Sequence, residues 1–261
     1  MINRNSIYLF HNIYIATISK IIWFIESLFF YPKLRHMYCN IINSEMENNS
    51  GGVIFDIGGN KGQSVTFFKK LFPNSSIYVF EPQESTYKKL LALISKKQFK
   101  NIHTYNVGIS ANRGHLDFYE SILDETSSFD KPDPNSRYLK KKNRILLTKN
   151  QNVKPPKQVE VTTVDIKCRE LRIAAINIMK VDVEGHELEV LRGATEVLQA
   201  HSVKFLQIER HLDDMRKDNT ESISRLLKDY GYSKIIEIKH PFGAFYEDLY
   251  TPLDSSVLPN A

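Results

Sequence analysis

Three carboxylates and an imidazole fall within six residues near the middle of this chain: Asp182, Glu184, His186 and Glu187. Packing alone does not ask for such a set. Side chains of these types can align a hydroxyl group and accept its proton. His186 stands at an expected helix start, where the positive end of the helix favours the neutral imidazole a base requires. A capping or supporting histidine is the equal alternative there. Farther along, Glu209 and His211 close a strand-like run and could face the same centre. Asp182 and Glu209 offer the hard oxygen ligands a divalent ion takes, but no third ligand is legible, so no metal is assigned.

A second group precedes it, in Val53-Ile-Phe-Asp-Ile-Gly-Gly-Asn-Lys-Gly62. An apolar run ends in Asp56, and a turn rich in glycine follows. Gly58, Gly59 and Gly62 carry no Cβ, so a ligand can lie against the backbone. A dinucleotide fingerprint begun at Gly58 fails at Asn60 and Gln63, and no G-x-x-x-x-G-K-[ST] phosphate loop occurs. Ser76 to Phe80 then closes on Glu81-Pro82. Pro82 stops the strand, which leaves the Glu81 carboxylate at its carboxyl edge, where an acid can accept ribose hydroxyls.

The elements that must position these groups alternate strand and helix, which argues for parallel central strands. The helices are expected over residues 63–71, 84–96 and 220–230, with Gly231 as a stop. Leu188, Leu191, Ala194 and Leu198 share one face of a helix after the strand that reaches Asp182. The strands are expected near residues 53–57, 76–80, 101–106, 115–119, 176–182 and 203–208. Two late runs, 233–238 and 244–250, would form an antiparallel edge.

Asp56-Ile-Gly-Gly-Asn-Lys-Gly62, Phe80-Glu-Pro82 and Lys180-Val-Asp-Val-Glu-Gly-His-Glu-x-x-Val-Leu-x-Gly-Ala194, in this order and spacing, resemble the FkbM family of methyltransferases. Asn106-Val-Gly-Ile-Ser110 and Thr126-Ser-Ser-Phe129 resemble two further segments of that family, and the likeness spans roughly residues 50 to 250. Gly108 stands where many relatives have alanine. The resemblance implies a class I, Rossmann-like α/β fold: a doubly wound, mostly parallel seven-stranded sheet with an antiparallel edge. It implies S-adenosylmethionine as cofactor and methyl transfer to a hydroxyl of a sugar, glycolipid or secondary metabolite. Asp56, Gly58, Gly59, Asn60 and Gly62 would form the cofactor loop, and Glu81 would hold the ribose. Asn106, Val107 and Gly108 would border the adenine, with Asp182 near the reacting centre. Asp182, Glu184, His186 and His211 would serve the acceptor. On this reading Asp56→Ala abolishes cofactor binding, whereas His186→Ala leaves binding intact and slows transfer.

A chain of 261 residues with 42% hydrophobic content can bury one substantial core. The expected division is an apolar helical segment over 1–48, the methyltransferase domain over 49–254 with a basic insertion at about 124–158, and a tail at 255–261. Cys39 and Cys168 read as two reduced cysteines of a cytoplasmic protein. Residues 13–30 are apolar and aromatic but contain Lys20 and Glu26, and no small-residue cleavage site follows. They suit a helix packed on the domain or across a homodimer, with a membrane-surface helix through residues 1–36 as the rival. Between Lys131 and Lys157, nine Lys or Arg face one acid, Asp133, a net of +8. The whole chain is +5, so the remainder carries about −3. The insertion reads as a prolyl loop with a short helix near residues 138–147, suited to steering an anionic acceptor. An RNA substrate is poorly supported, because only Phe129 and Tyr138 could stack on bases there. Two other functions stay open. An NAD enzyme would share the acid after the second strand, and a membrane-peripheral protein could keep the fold without turnover.

Overall fold

The computed structural model describes residues 17, 31–39, 51–120, 127–131, 133, 136, 137, 140, 141, 144, 155–211, 219–240 and 245–253. The expectations for residues 13–30, for most of the basic insertion and for the tail lie outside these residues. Helix α1 spans Tyr31–Met37. The first crossover runs from β1 (Val53–Ile57) through α2 (Gln63–Leu71) to β2 (Ser76–Phe80), and the second through α3 (Glu84–Lys97) to β3 (Ile102–Tyr105). These three strands pair in parallel. On the other side of β1 lie β7 (Ile176–Val181) and β8 (Val203–His211), also parallel. The sheet closes with β10 (Phe245–Pro252), antiparallel to β8, and β9 (Tyr232–Lys239), antiparallel to β10, giving the order β3-β2-β1-β7-β8-β10-β9.

Alternation along each strand divides the core in two. Phe55, Ile57, Phe80, Met179, Val181, Leu206 and Ile208 face one cluster, covered by Cys168, Leu188, Leu191, Leu198 and Leu227. Ile54, Ile77, Val79, Ile178, Phe205 and Leu249 face the other, covered by Leu34, Met37, Tyr38, Val65, Phe68 and Leu90. The sheet is therefore doubly wound. Cys39 and Cys168 are both free. Among the described residues no helix is long and apolar enough to cross a membrane.

Two features depart from the sequence reading. A separate three-stranded sheet, ordered β4-β6-β5, joins β4 (Gly108–Ile109), β5 (Gly114–Phe118) and β6 (Lys157–Thr162). Val159 and Val161 of β6 alternate with polar residues, a period-two signal hidden at the end of the basic segment. The next helix, α4 (Val164–Leu171), is capped by Thr163, whose hydroxyl accepts the Ile166 amide at 3.0 Å. Second, the helix expected after β7 is two short ones, α5 (Glu187–Arg192) and α6 (Thr195–Gln199). They part at Gly193, where a Cβ would lie 2.1 Å from the Ser110 carbonyl oxygen, so the chain bends around β4. Helix α7 (Thr220–Asp229) precedes β9 and ends before Gly231 at φ +76°.

Candidate active site

Strand β1 sends its crossovers to β2 on one side, while β7 flanks it on the other, so a crevice opens at their carboxyl ends. A cavity of about 300 Å³ occupies it. Its floor is the turn after β1. The amides of Gly58 and Gly59 both donate to the Phe80 carbonyl, at 3.0 and 3.2 Å, which folds the turn over β2. Gly58 has φ +85°, and a Cβ there would meet the Asp182 carbonyl oxygen at 1.8 Å. Only glycine satisfies both conditions.

Glu81 is buried at the edge of this floor. Its Oε2 accepts the Asn60 amide at 3.0 Å and its Oε1 the Gln83 amide at 2.8 Å. Burial pushes its pKa up to about 7, although both amides pull it down. Asn106 is exposed and turned back on the chain, with Nδ2 donating to the carbonyls of Glu81 (2.8 Å) and Pro82 (3.1 Å). Val107 joins the core. Of these three neighbours, Gly108 is the one that lines the cavity.

Asp56 lies fully buried beneath the turn and takes the Ser64 hydroxyl on Oδ2. It sits in register with Lys180, and Lys180 with Gln207, so all three share one face of the sheet. Burial raises the Asp56 pKa, and Lys180 acts against it. Lys180 donates to Asp182 Oδ2 at 2.7 Å. Burial alone would discharge this lysine, but Asp182, Asp56 and Glu247 hold its pKa above the usual lysine value.

The next row on that face carries Asp182, Glu209 and Glu247, all on the cavity wall. Burial would raise Asp182, yet Lys180 and a hydrogen bond to Glu209 hold it down to about 2. Glu209 moves the other way, raised by burial and by the Asp182 charge. The two carboxyls thus split their roles: Asp182 keeps the charge and Glu209 holds the proton more tightly. His211 Nε2 stands 2.8 Å from Glu209 Oε2. Burial would lower its pKa, but Glu209, Glu184 and Glu187 carry it to about 10.

Asp182, Glu209 and His211 lie within the segment that matches a methyltransferase FkbM domain, residues 56–234, well over half the chain, whereas Glu247 lies beyond it. The chain belongs to the FkbM methyltransferase family. The hexuronic acid methyltransferase AglP of Haloferax volcanii is 27% identical over 178 residues, 68% of this chain and 64% of that protein. The 2-O-methyltransferase NoeI of Sinorhizobium fredii is 27% identical over 146 residues, 56% of this chain and 58% of that protein. The chain thus spans less than two thirds of either relative. A crystal structure of methyltransferase FkbM from Methylobacillus flagellatus KT aligns with a TM-score of 0.52 at 15% identity, covering 77% of this chain and 44% of that one. It shows the shared class I fold.

The FkbM assignment implies S-adenosylmethionine, and the chain fits it. Gly58 and Gly59 leave the floor bare of side chains, and among the described residues the buried Asn60 Oδ1 on the cavity wall has no hydrogen-bond partner. The acceptor-side residues expected from sequence do not all meet. Asp182 and Glu184 line the cavity, and His211 backs Glu209. His186 is elsewhere. It is buried behind Phe129, its ring centroid 4.9 Å from that of the phenylalanine, with Nε2 3.0 Å from Ser110 Oγ and Nδ1 3.8 Å from Asp130 Oδ1.

Several wall residues escaped the sequence reading. Tyr31 and Leu34 of α1 close the cavity opposite Ser64 and Phe67. Tyr38, fully buried, donates its hydroxyl to Gln207 Oε1, and Gln207 Nε2 donates to Glu247 Oε2 at 2.7 Å. His240 and Glu247 complete the β10 side. No local motif announces them, because long-range pairing brings them together. The side-chain donors of Glu184, Glu209 and His211 lie within 4.8 Å of one another, as do those of Glu209, His240 and Glu247. The third ligand missing from the sequence reading is therefore available to Glu209, whereas Asp182 belongs to neither set.

Proposed function

We propose that this protein transfers a methyl group from S-adenosylmethionine to a hydroxyl oxygen of a sugar. One observation carries the reading: a single cavity has the glycine turn and Glu81 at one end and Asp182, Glu209 and Glu247 at the other. The first end suits a nucleoside with a free ribose diol, the second an alcohol that must lose a proton. The names of AglP and NoeI support a sugar acceptor and transfer to oxygen.

The cofactor supplies an electrophilic methyl group bound to sulfur. Everything else is asked of the chain. Gly58, Gly59 and Asn60 hold the cofactor against the backbone, and Glu81 accepts the ribose hydroxyls. Asp182, kept ionised by Lys180, orients the acceptor. Glu209 takes the hydroxyl proton: the positive charge of the protonated His211 beside it keeps its carboxylate ionised until then, and burial favours the neutral acid that results. His186, whose sequence position suited a base and a supporting histidine equally, stands behind the wall and positions Phe129. Lys131, Arg137, Lys140, Lys141 and Arg144 are all exposed, which suits approach by a sugar carboxylate or phosphate.

Calorimetric titration with S-adenosylhomocysteine and with NAD tests the cofactor, and mass spectrometry of uronic acid and neutral hexose acceptors tests the transfer. Binding of the sulfur nucleoside alone, followed by a gain of one methyl on a sugar, is expected. Binding of NAD alone would overturn the reading.

A further inference from the structure

Phe129 enters the cavity from outside the strand edges, beside Gly108, Ile109 and Phe118. A Cβ on Gly108 would lie 2.4 Å from Phe129 Cζ and 3.1 Å from its Cε2. Gly108 is not among the glycines with positive φ, so its backbone conformation does not call for glycine. The space taken by the phenylalanine does. The ring has little room to retreat. Phe118 meets it edge-on at 5.0 Å and 69°, and His186 leans on it at 4.9 Å. Its loop is fastened at the preceding residue. Ser128 Oγ donates to the Glu184 carbonyl at 2.8 Å, and the Ser128 and Tyr119 backbones exchange hydrogen bonds of 2.8 and 3.2 Å.

The cavity is polarised along the sheet edge. Its β7, β8 and β10 end is charged, while Pro82, Ile109, Phe118 and Phe129 make the part past Glu81 apolar and aromatic. A planar, weakly polar purine fits the second end and gains little from the first. Building on the methyltransferase reading, we propose that Phe129, seated in the notch left by Gly108, is the specificity-determining wall for the adenine base of the cofactor. His186 acts through Phe129 as a positioning residue. A methyl group at position 108 drives the ring into the space of the base.

The test is a set of titrations with S-adenosylhomocysteine and with adenosine on wild type, Gly108→Ala, Phe129→Ala, Phe129→Leu and the Gly108→Ala/Phe129→Ala double variant. Circular dichroism checks that each is folded. Phe129→Ala should weaken both ligands about tenfold, the scale of losing one aromatic–base contact, and Phe129→Leu by less. Gly108→Ala should weaken both at least as much, and the double variant should bind like Phe129→Ala alone. Losses that multiply in the double variant would overturn the coupling. A Phe129→Ala protein that binds both ligands normally, with only the KM of the sugar raised, would give the wall to the acceptor and overturn the proposal. If Gly108→Ala does not fold, the two Phe129 variants still decide it. Wild type that binds neither ligand would defeat the methyltransferase reading itself, a result distinct from normal wild-type binding with unaffected variants.

Discussion

The Glu81 carboxylate accepts the Asn60 amide at 3.0 Å, so the acid that ends β2 also holds the turn that follows β1. One group therefore shapes the floor of the site and, on the proposed function, would also accept the ribose. Its pKa, raised from 4.5 to about 7 by burial, makes cofactor affinity depend on pH. The ionised form is the better acceptor and is lost as pH falls through 7. Affinity for S-adenosylhomocysteine should drop about tenfold between pH 8 and pH 6, by linkage to one proton. The stability term has the opposite sense: the group favours the fold below its unfolded value and loses that contribution as pH rises through 7. Calorimetry across this range reads the first effect, and a flat profile would remove Glu81 from the ribose.

Lys180→Met should destabilise the fold by about 3–5 kcal/mol, because Asp182 and Asp56 lose their buried counter-ion. Asp182 is depressed from 3.8 to about 2, so its stabilisation is full above its unfolded value and vanishes as pH falls through 2. The penalty of the substitution should therefore be largest near neutrality and shrink toward acid. Urea denaturation at pH 7 and near pH 2 measures the difference.

Glu209→Gln should lower kcat by about 10²–10⁴-fold, the usual range for a lost general base, with little change in S-adenosylhomocysteine affinity. Single-turnover transfer beside calorimetry separates the two quantities. Normal turnover would pass the proton to another group on the wall.

His186→Ala should weaken cofactor binding by loosening Phe129 and leave the shape of the pH–rate profile unchanged. A base would behave the other way, with binding kept and the profile altered. The distinction follows from its 3.0 Å contact with Ser110 and its place behind the ring.

Tyr38→Phe removes a buried hydroxyl and leaves Gln207 Oε1 without its donor. A loss of about 1–3 kcal/mol in unfolding free energy is expected. Intact stability would mean that α1 is held by its apolar contacts alone.

The glycine-turn side of this cavity is largely legible in sequence because it is local. Asp56, the glycine turn and Glu81 are strand ends, and strand ends follow from apolar runs that stop. The acceptor side is not local. Gln207 and Glu247 look like ordinary strand residues until register sets them beside Lys180 and Asp182, and Tyr38 looks like part of an apolar leader. The placement of His186 is hidden for the same reason: two residues from Glu184 in sequence, it is separated from it by the turn that Glu184 and Gly185 make with positive φ. Phe129 stands in a family-like stretch, but nothing in that stretch reveals the notch at Gly108. Strand β6 is hidden by the basic composition that precedes it, since charge density masks a period of two.

The family match begins at Asp56, yet Tyr31 and Leu34 already line the cavity, and Tyr38 holds the wall residue Gln207. The boundary of the shared domain and the boundary of the working site are thus different lines on this chain. Catalytic parts common to the family can be inherited unchanged while the roof is redrawn by whatever sequence comes first. Two members alike from Asp56 onward can then differ in the molecules they admit.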